Sequence, residues 1–202
     1  MSIRSFIHVL LIAVLGLLAG CASPGGQVQV TRTDTDQTFL QAFDQAWVAR
    51  DTDGDYDIIL VHRSTVGQDN AQPGEALEPV DHLPVRHIVH AHVFWRPRGG
   101  VRSDDPAPSN AAVNWYVLTM GASAGDDVLV YRGAGYVGVH PGDDAAAVTL
   151  RNIRLEPQLV RGAMTDPIGS ARIGGNIHAI EDSRQVRAIL DELQSLGIRN
   201  DR

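Results

Sequence analysis

Hydrophobic residues recur along most of the chain in strand-like runs that are separated by turn sequences. Seven such runs lie at residues 27–33, 56–62, 85–95, 112–120, 128–140, 147–160 and 170–180. In the first run Val28 and Val30 share one face, because successive side chains of a strand point to opposite sides. Glycine, proline and aspartate occupy the gaps between runs, which is typical of turns. We therefore predict seven strands.

Two other segments carry apolar residues at helical spacing. Between residues 38 and 50 these are Phe39, Leu40, Phe43 and Trp47, with Asp36 placed to cap the segment. Near the carboxyl end, Asp182 or Ser183 is a suitable cap for a helix that stops at Gly197. Its apolar stripe consists of Val186, Ile189, Leu190, Leu193 and Leu196. We predict an amphipathic helix in each segment.

The order of these elements predicts the fold class. Strands that follow one another through short turns pair antiparallel, since parallel pairing needs crossovers of about a dozen residues or more. The expected architecture is α+β, an antiparallel sheet covered by an N-terminal and a C-terminal amphipathic helix. A β-barrel or sandwich with flanking helices is the alternative.

The first twenty residues have a different pattern, that of a secretion signal. One cation, Arg4, precedes an apolar run over residues 6–18. As a helix these 13 residues would extend about 20 Å, which is short of the roughly 30 Å hydrocarbon core of a bilayer. We therefore expect residues 1–20 to be a signal peptide and not a permanent membrane span.

The run ends in Leu18-Ala19-Gly20-Cys21, which resembles the lipobox of bacterial lipoproteins. The resemblance implies that Cys21 carries covalent lipid, including palmitate, and becomes the first residue of the mature chain. In Gram-negative lipoproteins an Asp after the cysteine retains the protein in the inner membrane. Here Ala22 follows, so the resemblance favours the outer membrane, facing the periplasm.

These features predict three parts of the chain. Residues 1–20 are the signal, residues 21–37 are the lipidated N-terminus with a flexible spacer, and residues 38–202 are one α+β domain. The mature part has 16 basic residues, all arginine, and 24 acidic residues, a net charge of −8. This acidity argues against nucleic acid as a partner. Because Cys21 is the only cysteine, its lipidation excludes disulfide and thiol chemistry.

Histidines concentrate in the segment 81–92, and two of them have the spacing of metal ligands. On a strand, His90 and His92 point to the same side about 6.6 Å apart, so both imidazoles could reach one metal ion. A third ligand would come from His62, His140 or Asp81. Cupin metal motifs begin with a similar His-x-His, but the Glu that should follow is absent. The alternative is the polar face of an amphipathic strand.

An acidic segment resembles calcium-binding loops of the EF-hand kind. Asp51, Asp53 and Asp55 would supply hard oxygen ligands. However, the sixth position, where an EF-hand needs glycine, is Tyr56, and the twelfth, where a bidentate Glu belongs, is His62. An acidic turn between a helix and a strand is the alternative.

Two glycine motifs match catalytic or cofactor signatures without the required context. Residues 121–125 match the G-x-S-x-G nucleophile elbow, but a strand follows where a helix is needed. Residues 133–138 match a dinucleotide fingerprint, but Pro141 follows too soon for a helix. We expect a hairpin turn at the first motif and a bulge or close strand packing at the second.

The segment from Thr165 to the last helix resembles part of the outer-membrane-protein-A-like peptidoglycan-binding domain. In that family an Asp and a helix Arg hold the diaminopimelate of the wall peptide. The resemblance would give these roles to Asp166 and to Arg184 or Arg187. It covers about a sixth of the chain, and both the preceding helix and the final strand of the family are missing.

Taken together, the patterns favour a noncatalytic, membrane-anchored lipoprotein of the cell envelope with a structural or binding role. No cofactor is expected beyond the lipid on Cys21. Its partners would be the membrane, through that lipid, and envelope proteins or peptidoglycan. The alternatives are a metal-dependent enzyme or metal binder using His90 and His92, and peptidoglycan binding through Asp166.

Overall fold

A computed structural model describes residues 25–65, 84–94, 109–119, 127–162 and 166–197. These residues form nine strands and one helix. The strands are β1 (Gly25–Arg32), β2 (Thr38–Phe43), β3 (Gln45–Arg50), β4 (Tyr56–Thr65), β5 (Pro84–Val93), β6 (Ala111–Thr119), β7 (Asp127–His140), β8 (Ala146–Arg161) and β9 (Ala171–Glu181). The helix is α1 (Ser183–Ser195). The predicted signal, Cys21 and Ala22 lie outside the described residues.

Strands β3 to β9 form a closed seven-stranded barrel. From β3 to β8 each strand pairs antiparallel with the next along the chain. Closure comes from β9, which is antiparallel to β8 on one edge and parallel to β3 on the other. The parallel contact is short, joining Trp47 to Ile180 and Val48 to Glu181. The β1–β2 hairpin extends the sheet from β9, beside β3.

The predicted α+β architecture, a sheet covered by two helices, is wrong. The described part of the chain is mostly strand, and it closes into a barrel with a single helix, which is nearer to the barrel alternative. Residues 38–50 form β2 and β3 instead of a helix. Phe43 faces the core from β2, whereas Ala46 and Val48 do so from β3, because the chain bends at Asp44. The four apolar residues that suggested a helix therefore do not share a face: Phe43 lies in the core, Trp47 packs against the outer cluster beneath α1, and Phe39 and Leu40 are exposed.

The folded part also starts earlier than predicted. The flexible spacer expected over residues 21–37 overlaps β1, which begins at Gly25 and pairs with both β2 and β9. Val28 and Val30 of β1 are completely buried in the core. Only the segment before Gly25 is therefore left for a spacer.

Apolar side chains fill the interior of the barrel. Alternate residues of each strand point inward, and the largest of these, Trp115 and Tyr131, are completely buried. At one end the hydroxyl of Tyr131 donates to Asp166 in the β8–β9 connection. The interior is thus a packed core.

Helix α1 covers the outer face of the barrel, as its apolar stripe predicts. Val186, Ile189 and Leu193 pack against a second apolar cluster formed by outward side chains of β4 to β7. Asp182 caps the helix, its side chain accepting the N–H of Gln185 at 2.9 Å. Arg86 of β5 bonds to Glu192 of the helix. Within the described ranges, no helix combines the length and apolarity needed to cross a bilayer.

The glycine motif at residues 133–138 lies within β7 and serves close strand packing, as expected. A Cβ at Gly133 would overlap the carbonyl oxygen of Arg154, and one at Gly135 would lie 2.6 Å from Cα of Ile153. The β7–β8 register shifts beside this point, between Ala134 and Tyr136. The G-x-S-x-G motif at residues 121–125 lies outside the described residues.

Candidate functional site

Three ionisable side chains meet on the outer face of the barrel where β4 and β5 pair. Asp57 of β4 lies directly opposite His92 of β5, and His90 occupies the same face of β5 two residues earlier. Their neighbours Ile58 and Ala91 face the core. Because side chains alternate along a strand, the three polar residues must point outward together.

One carboxylate oxygen joins the two imidazoles. Oδ1 of Asp57 lies 2.8 Å from Nε2 of His90 and 2.9 Å from Nδ1 of His92, and each nitrogen is placed to donate to it. The second nitrogen of His92, Nε2, lies 3.8 Å from Oδ2 of Asp55. His90 is only 5% exposed, so this arrangement is largely shielded from water. We call Asp57, His90 and His92 the imidazole–carboxylate cluster.

The contacts within the cluster shift the titration of two of its members. Burial by itself raises the pKa of Asp57, but hydrogen bonds from His90 and His92 and their attraction hold it far below its ordinary value of 3.8. The hydrogen bond to Asp57 raises the pKa of His92 above 6.5. Burial opposes that rise, while the charges of Asp57, Asp55 and Asp51 add to it. Asp57 is therefore a carboxylate at neutral pH, and His92 holds its proton more tightly than a free imidazole does.

The cluster matches the predicted pairing of His90 with His92, but its geometry suits hydrogen bonding better than metal ligation. Within the described residues, Nδ1 of His90 is buried without a hydrogen-bond partner. A metal ion on Nε2 would force the ring proton onto Nδ1, where it has no acceptor, whereas metal-bound histidines normally donate this proton. The same residues include no group of three or more His, Cys, Asp or Glu side chains arranged to hold a metal ion.

The third ligands proposed from the sequence do not join this pair. His62 pairs with Asp44, its Nδ1 lying 2.7 Å from Oδ2, and its ring neighbours His87 at a centroid distance of 6.2 Å. His140 is exposed at the end of β7. Asp81 lies outside the described residues, as does His82.

The acidic segment 51–55 is the turn between β3 and β4, not a link between a helix and a strand. Oδ1 of Asp51 accepts the backbone N–H groups of Asp53 and Asp55, each at 2.9 Å. The side chain of Asp51 therefore shapes the turn, while Asp53 is exposed and Asp55 faces His92. The three carboxylates proposed as calcium ligands thus have different surroundings.

The residues proposed to bind peptidoglycan are far apart. Asp166 precedes β9, and its carboxylate accepts the N–H groups of Ile168 and Gly169 as well as the hydroxyl of Tyr131. Arg184 lies just after β9, in the first turn of α1. The 11 residues of β9 between them span roughly 36 Å. Arg187 lies one helical turn further along α1, which brings it only about 5 Å nearer to Asp166.

A surface cavity of about 180 Å³ lies at the mouth of the barrel next to the acidic turn. Arg50 and Tyr56, which flank this turn, line it together with Val48 and Glu181 and with the β7–β8 turn at residues 141–145. The guanidinium of Arg50 lies 5.6 Å from the ring centre of Tyr56. The cavity thus combines an apolar wall with charged edges.

Sequence reasoning found both histidines of the cluster but missed Asp57. It assigned Asp51, Asp53 and Asp55 to a calcium loop that precedes one predicted strand, and it placed His90 and His92 on another predicted strand. The available signal was the position of Asp57 one residue inside a predicted strand, on the polar side of its alternation. Its partnership with His92 depends on the register between β4 and β5, which that pattern does not contain.

Comparison with known proteins adds no relative. No protein-family model matches the chain. Neither a curated protein nor a solved structure matches it. The function must therefore be argued from the residues themselves.

Proposed function

We propose that this chain is a lipoprotein of the cell envelope, anchored by a lipid on Cys21, with a barrel that has a noncatalytic structural or binding role. The favoured location is the outer membrane, facing the periplasm, because Ala22 follows the cysteine. The observation that supports a structural role, or binding at the outer surface or mouth, is the filled interior of the barrel.

A filled interior limits where a ligand can bind. Trp115 and Tyr131 are completely buried, and around them lie aliphatic residues together with Phe43 and His87, which both contact Trp115. Small barrels of this kind are closed by their own side chains, unlike wider barrels that hold a ligand inside. Three cavities lined by described residues lie at the surface, one at the barrel mouth, one beside α1 and one beside β4. A binding role would therefore use the outer surface or the mouth.

The short distance from Cys21 to the barrel fits a role at the membrane surface. Gly25 opens β1, so only four peptide steps separate it from the cysteine. Fully extended, that segment reaches at most about 14 Å. The mature chain carries a net charge of −8, which gives no attraction to anionic lipids. Anchoring would therefore depend on the lipid.

Labelling with radioactive palmitate tests this proposal directly. The wild-type chain, expressed in a bacterium with an outer membrane, should incorporate label and fractionate with that membrane. Cys21→Ser should lose the label and leave the membrane fraction, whereas the neighbouring Ser23→Ala should behave as wild type. A C21S chain that is still cleaved normally and still membrane-bound would show that the lipid is not the anchor. Ala22→Asp should move the protein to the inner membrane.

A further inference from the structure

The outward surface of β8, β9, β1 and β2 lies apart from helix α1. The helix packs on outward side chains of β3 to β7. On the other four strands, the exposed side chains point away from the core because their neighbours, such as Val28, Leu150 and Ile173, point into it. In the part of the chain that the structure describes, no second helix covers this surface.

Three arginines concentrate on this surface. Arg151 and Arg154 of β8 and Arg172 of β9 are exposed, and no described carboxylate forms a salt bridge with them. Arg154 lies directly opposite Arg172 in the β8–β9 pair. Like charges at directly opposite positions destabilise a sheet, so the stability of the barrel does not explain this pair. An anionic partner would explain it.

Acidic residues are absent from the same area. Between the level of Gly25 and that of Arg172, no described outward position of these four strands carries a carboxylate. Glu156 lies beyond Arg154, where it accepts the hydroxyl of Ser170, and the other carboxylates nearby are in the β1–β2 and β7–β8 turns. The net charge of −8 is therefore unevenly distributed, and this surface is positive.

Exposed apolar side chains border the arginines. Leu40 of β2 is 64% exposed, and Tyr136 of β7 and Ile180 of β9 are each more than a third exposed. Tyr136 lies opposite Arg151, and Leu40 lies opposite Gln29 of β1. Basic residues combined with apolar and aromatic ones are typical of protein surfaces that enter the headgroup region of a bilayer. We call the surface formed by Arg151, Arg154, Arg172, Leu40, Tyr136 and Ile180 the basic face.

We propose that the basic face docks on the phospholipid headgroups of the membrane that holds the lipid anchor. The proposal rests on the proposed lipidation of Cys21, which brings the barrel to the bilayer. The lipid anchors the chain, and the basic face determines how the barrel is oriented. An anionic glycan of the envelope would match the arginines but would not explain the exposed apolar side chains.

The length of the N-terminal segment fits this docking. Gly25 lies opposite His178 at one edge of the basic face, and Cys21 is at most about 14 Å from Gly25. Gln29, near the centre of the face, is four residues along β1 from Gly25, a distance of about 13 Å. Because these two distances are similar, the anchor keeps the whole face within reach of the headgroups.

Fluorescence quenching in vesicles tests the docking. The lipidated chain is reconstituted in vesicles of phosphatidylethanolamine and phosphatidylglycerol that carry a nitroxide quencher on the headgroups. Because Cys21 is the only cysteine and its thiol carries the lipid, a dye can be attached selectively to Gln29→Cys or to Ala188→Cys, on the exposed side of α1. The nitroxide should quench the dye strongly on the basic face and weakly on α1.

Two matched double variants test the role of charge. R154Q with R172Q should lower the ratio of docked to undocked protein about thirtyfold, since each arginine near an anionic bilayer contributes a preference of about fivefold. R184Q with R187Q removes the same charge from α1 and should leave the quenching unchanged. Salt at 1 M, which shortens the Debye length to about 3 Å, should release the face while the lipid stays inserted.

Palmitate incorporation, measured on the same samples, reports lipidation separately from docking. A lipidated chain whose two dyes are quenched equally, or whose quenching is the same in R154Q/R172Q, would overturn the docking and leave lipidation intact. Capture of the chain by purified wall sacculi that is lost in R154Q/R172Q would also overturn it, because the basic face would then bind an envelope glycan. A chain without palmitate would overturn the proposed function, and the docking with it.

Discussion

Asp57 and His92 face each other across the β4–β5 pair, with Oδ1 of the carboxylate 2.9 Å from Nδ1 of the imidazole. The same oxygen accepts Nε2–H of His90 at 2.8 Å. The side chain of Asp57 is 18% exposed, so its charge is stabilised mainly by the two rings and only partly by water. This carboxylate is the central member of the cluster.

Replacing Asp57 by asparagine should destabilise the protein by about 2–3 kcal/mol. The variant removes the anion and leaves two largely buried imidazoles with a weaker acceptor. Urea unfolding of the full chain in detergent at pH 5.5 measures the effect. Asp53→Asn, in the exposed part of the neighbouring turn, is the control and should change stability by less than about 0.5 kcal/mol. Equal stability of the two variants would contradict the central role of Asp57.

Stability should depend on pH through both members of the pair. Because the folded pKa of His92 is raised above 6.5, its contribution is complete below pH 6.5 and is lost as the pH rises through the folded pKa. The folded pKa of Asp57 lies far below 3.8, so its contribution is complete above pH 3.8 and is lost only in strong acid. We expect the stability difference between wild type and His92→Gln to be largest between pH 3.8 and pH 6.5. Urea unfolding from pH 3 to 9 measures this difference. A stability difference that grows above pH 8 would contradict this prediction.

Much of the secondary structure could be predicted because it depends on local patterns. Every strand run predicted from the sequence coincides with an observed strand to within two or three residues, and the stripe of α1 is the face that packs on the barrel. The segment 38–50 failed because its strand bends at Asp44, whose N–H bonds to the carbonyl of Val61. The bend turns Trp47 to the outer face while Phe43 faces the core, so residues at helical spacing lie on two faces of a strand pair.

Closure of the barrel and the composition of the site could not be predicted from such patterns. Closure depends on β9 reaching both β8 and β3, and β3 lies more than a hundred residues earlier in the chain. The pairing of Asp57 with His92 likewise depends on a register set between two distant strands. Alternation indicates that both side chains point outward, but it does not place them opposite each other.

Close packing of β7 on β8 predicts a strong difference between two glycines of one strand. A methyl group at Gly133 would overlap the carbonyl oxygen of Arg154, so Gly133→Ala should destabilise the protein by about 3 kcal/mol. At Gly138 the nearest atom would be 3.6 Å away, in the ring of Tyr136. Gly138→Ala should therefore stay within about 1 kcal/mol of wild type. Thermal unfolding of both variants tests this difference. Similar melting temperatures would contradict the close packing of β7 on β8 at Gly133.

Attachment of α1 to the barrel can be tested at Leu193, which is completely buried between helix and strands. Leu193→Ala should cost about 2–4 kcal/mol, because the barrel wall cannot collapse into the space left by the side chain. Arg187→Ala, on the exposed side of the same helix, should change stability by less than about 0.5 kcal/mol. Equal urea midpoints for the two variants would mean that the helix does not depend on this contact.

The last prediction concerns the role of Asp166. The sequence suggests that its side chain contacts a ligand, whereas in the structure it contacts other residues of the barrel. Its carboxylate accepts the hydroxyl of Tyr131 and two backbone N–H groups, closing one end of the barrel. Asp166→Ala and Tyr131→Phe should each cost about 1–2 kcal/mol, and the double variant should cost less than their sum, with a coupling of about 1 kcal/mol. Urea unfolding of the four proteins measures this cycle.

Cosedimentation with purified wall sacculi separates the internal role of Asp166 from wall binding. Arg184→Ala serves as the comparison, since Arg184 would hold the wall peptide together with Asp166, and its replacement leaves the contact between Asp166 and Tyr131 in place. If D166A and R184A both abolish sedimentation of the full chain and D166A leaves stability unchanged, Asp166 binds the wall peptide. We expect that D166A loses stability and that R184A does not, because β9 holds Asp166 and Arg184 at opposite ends of the barrel.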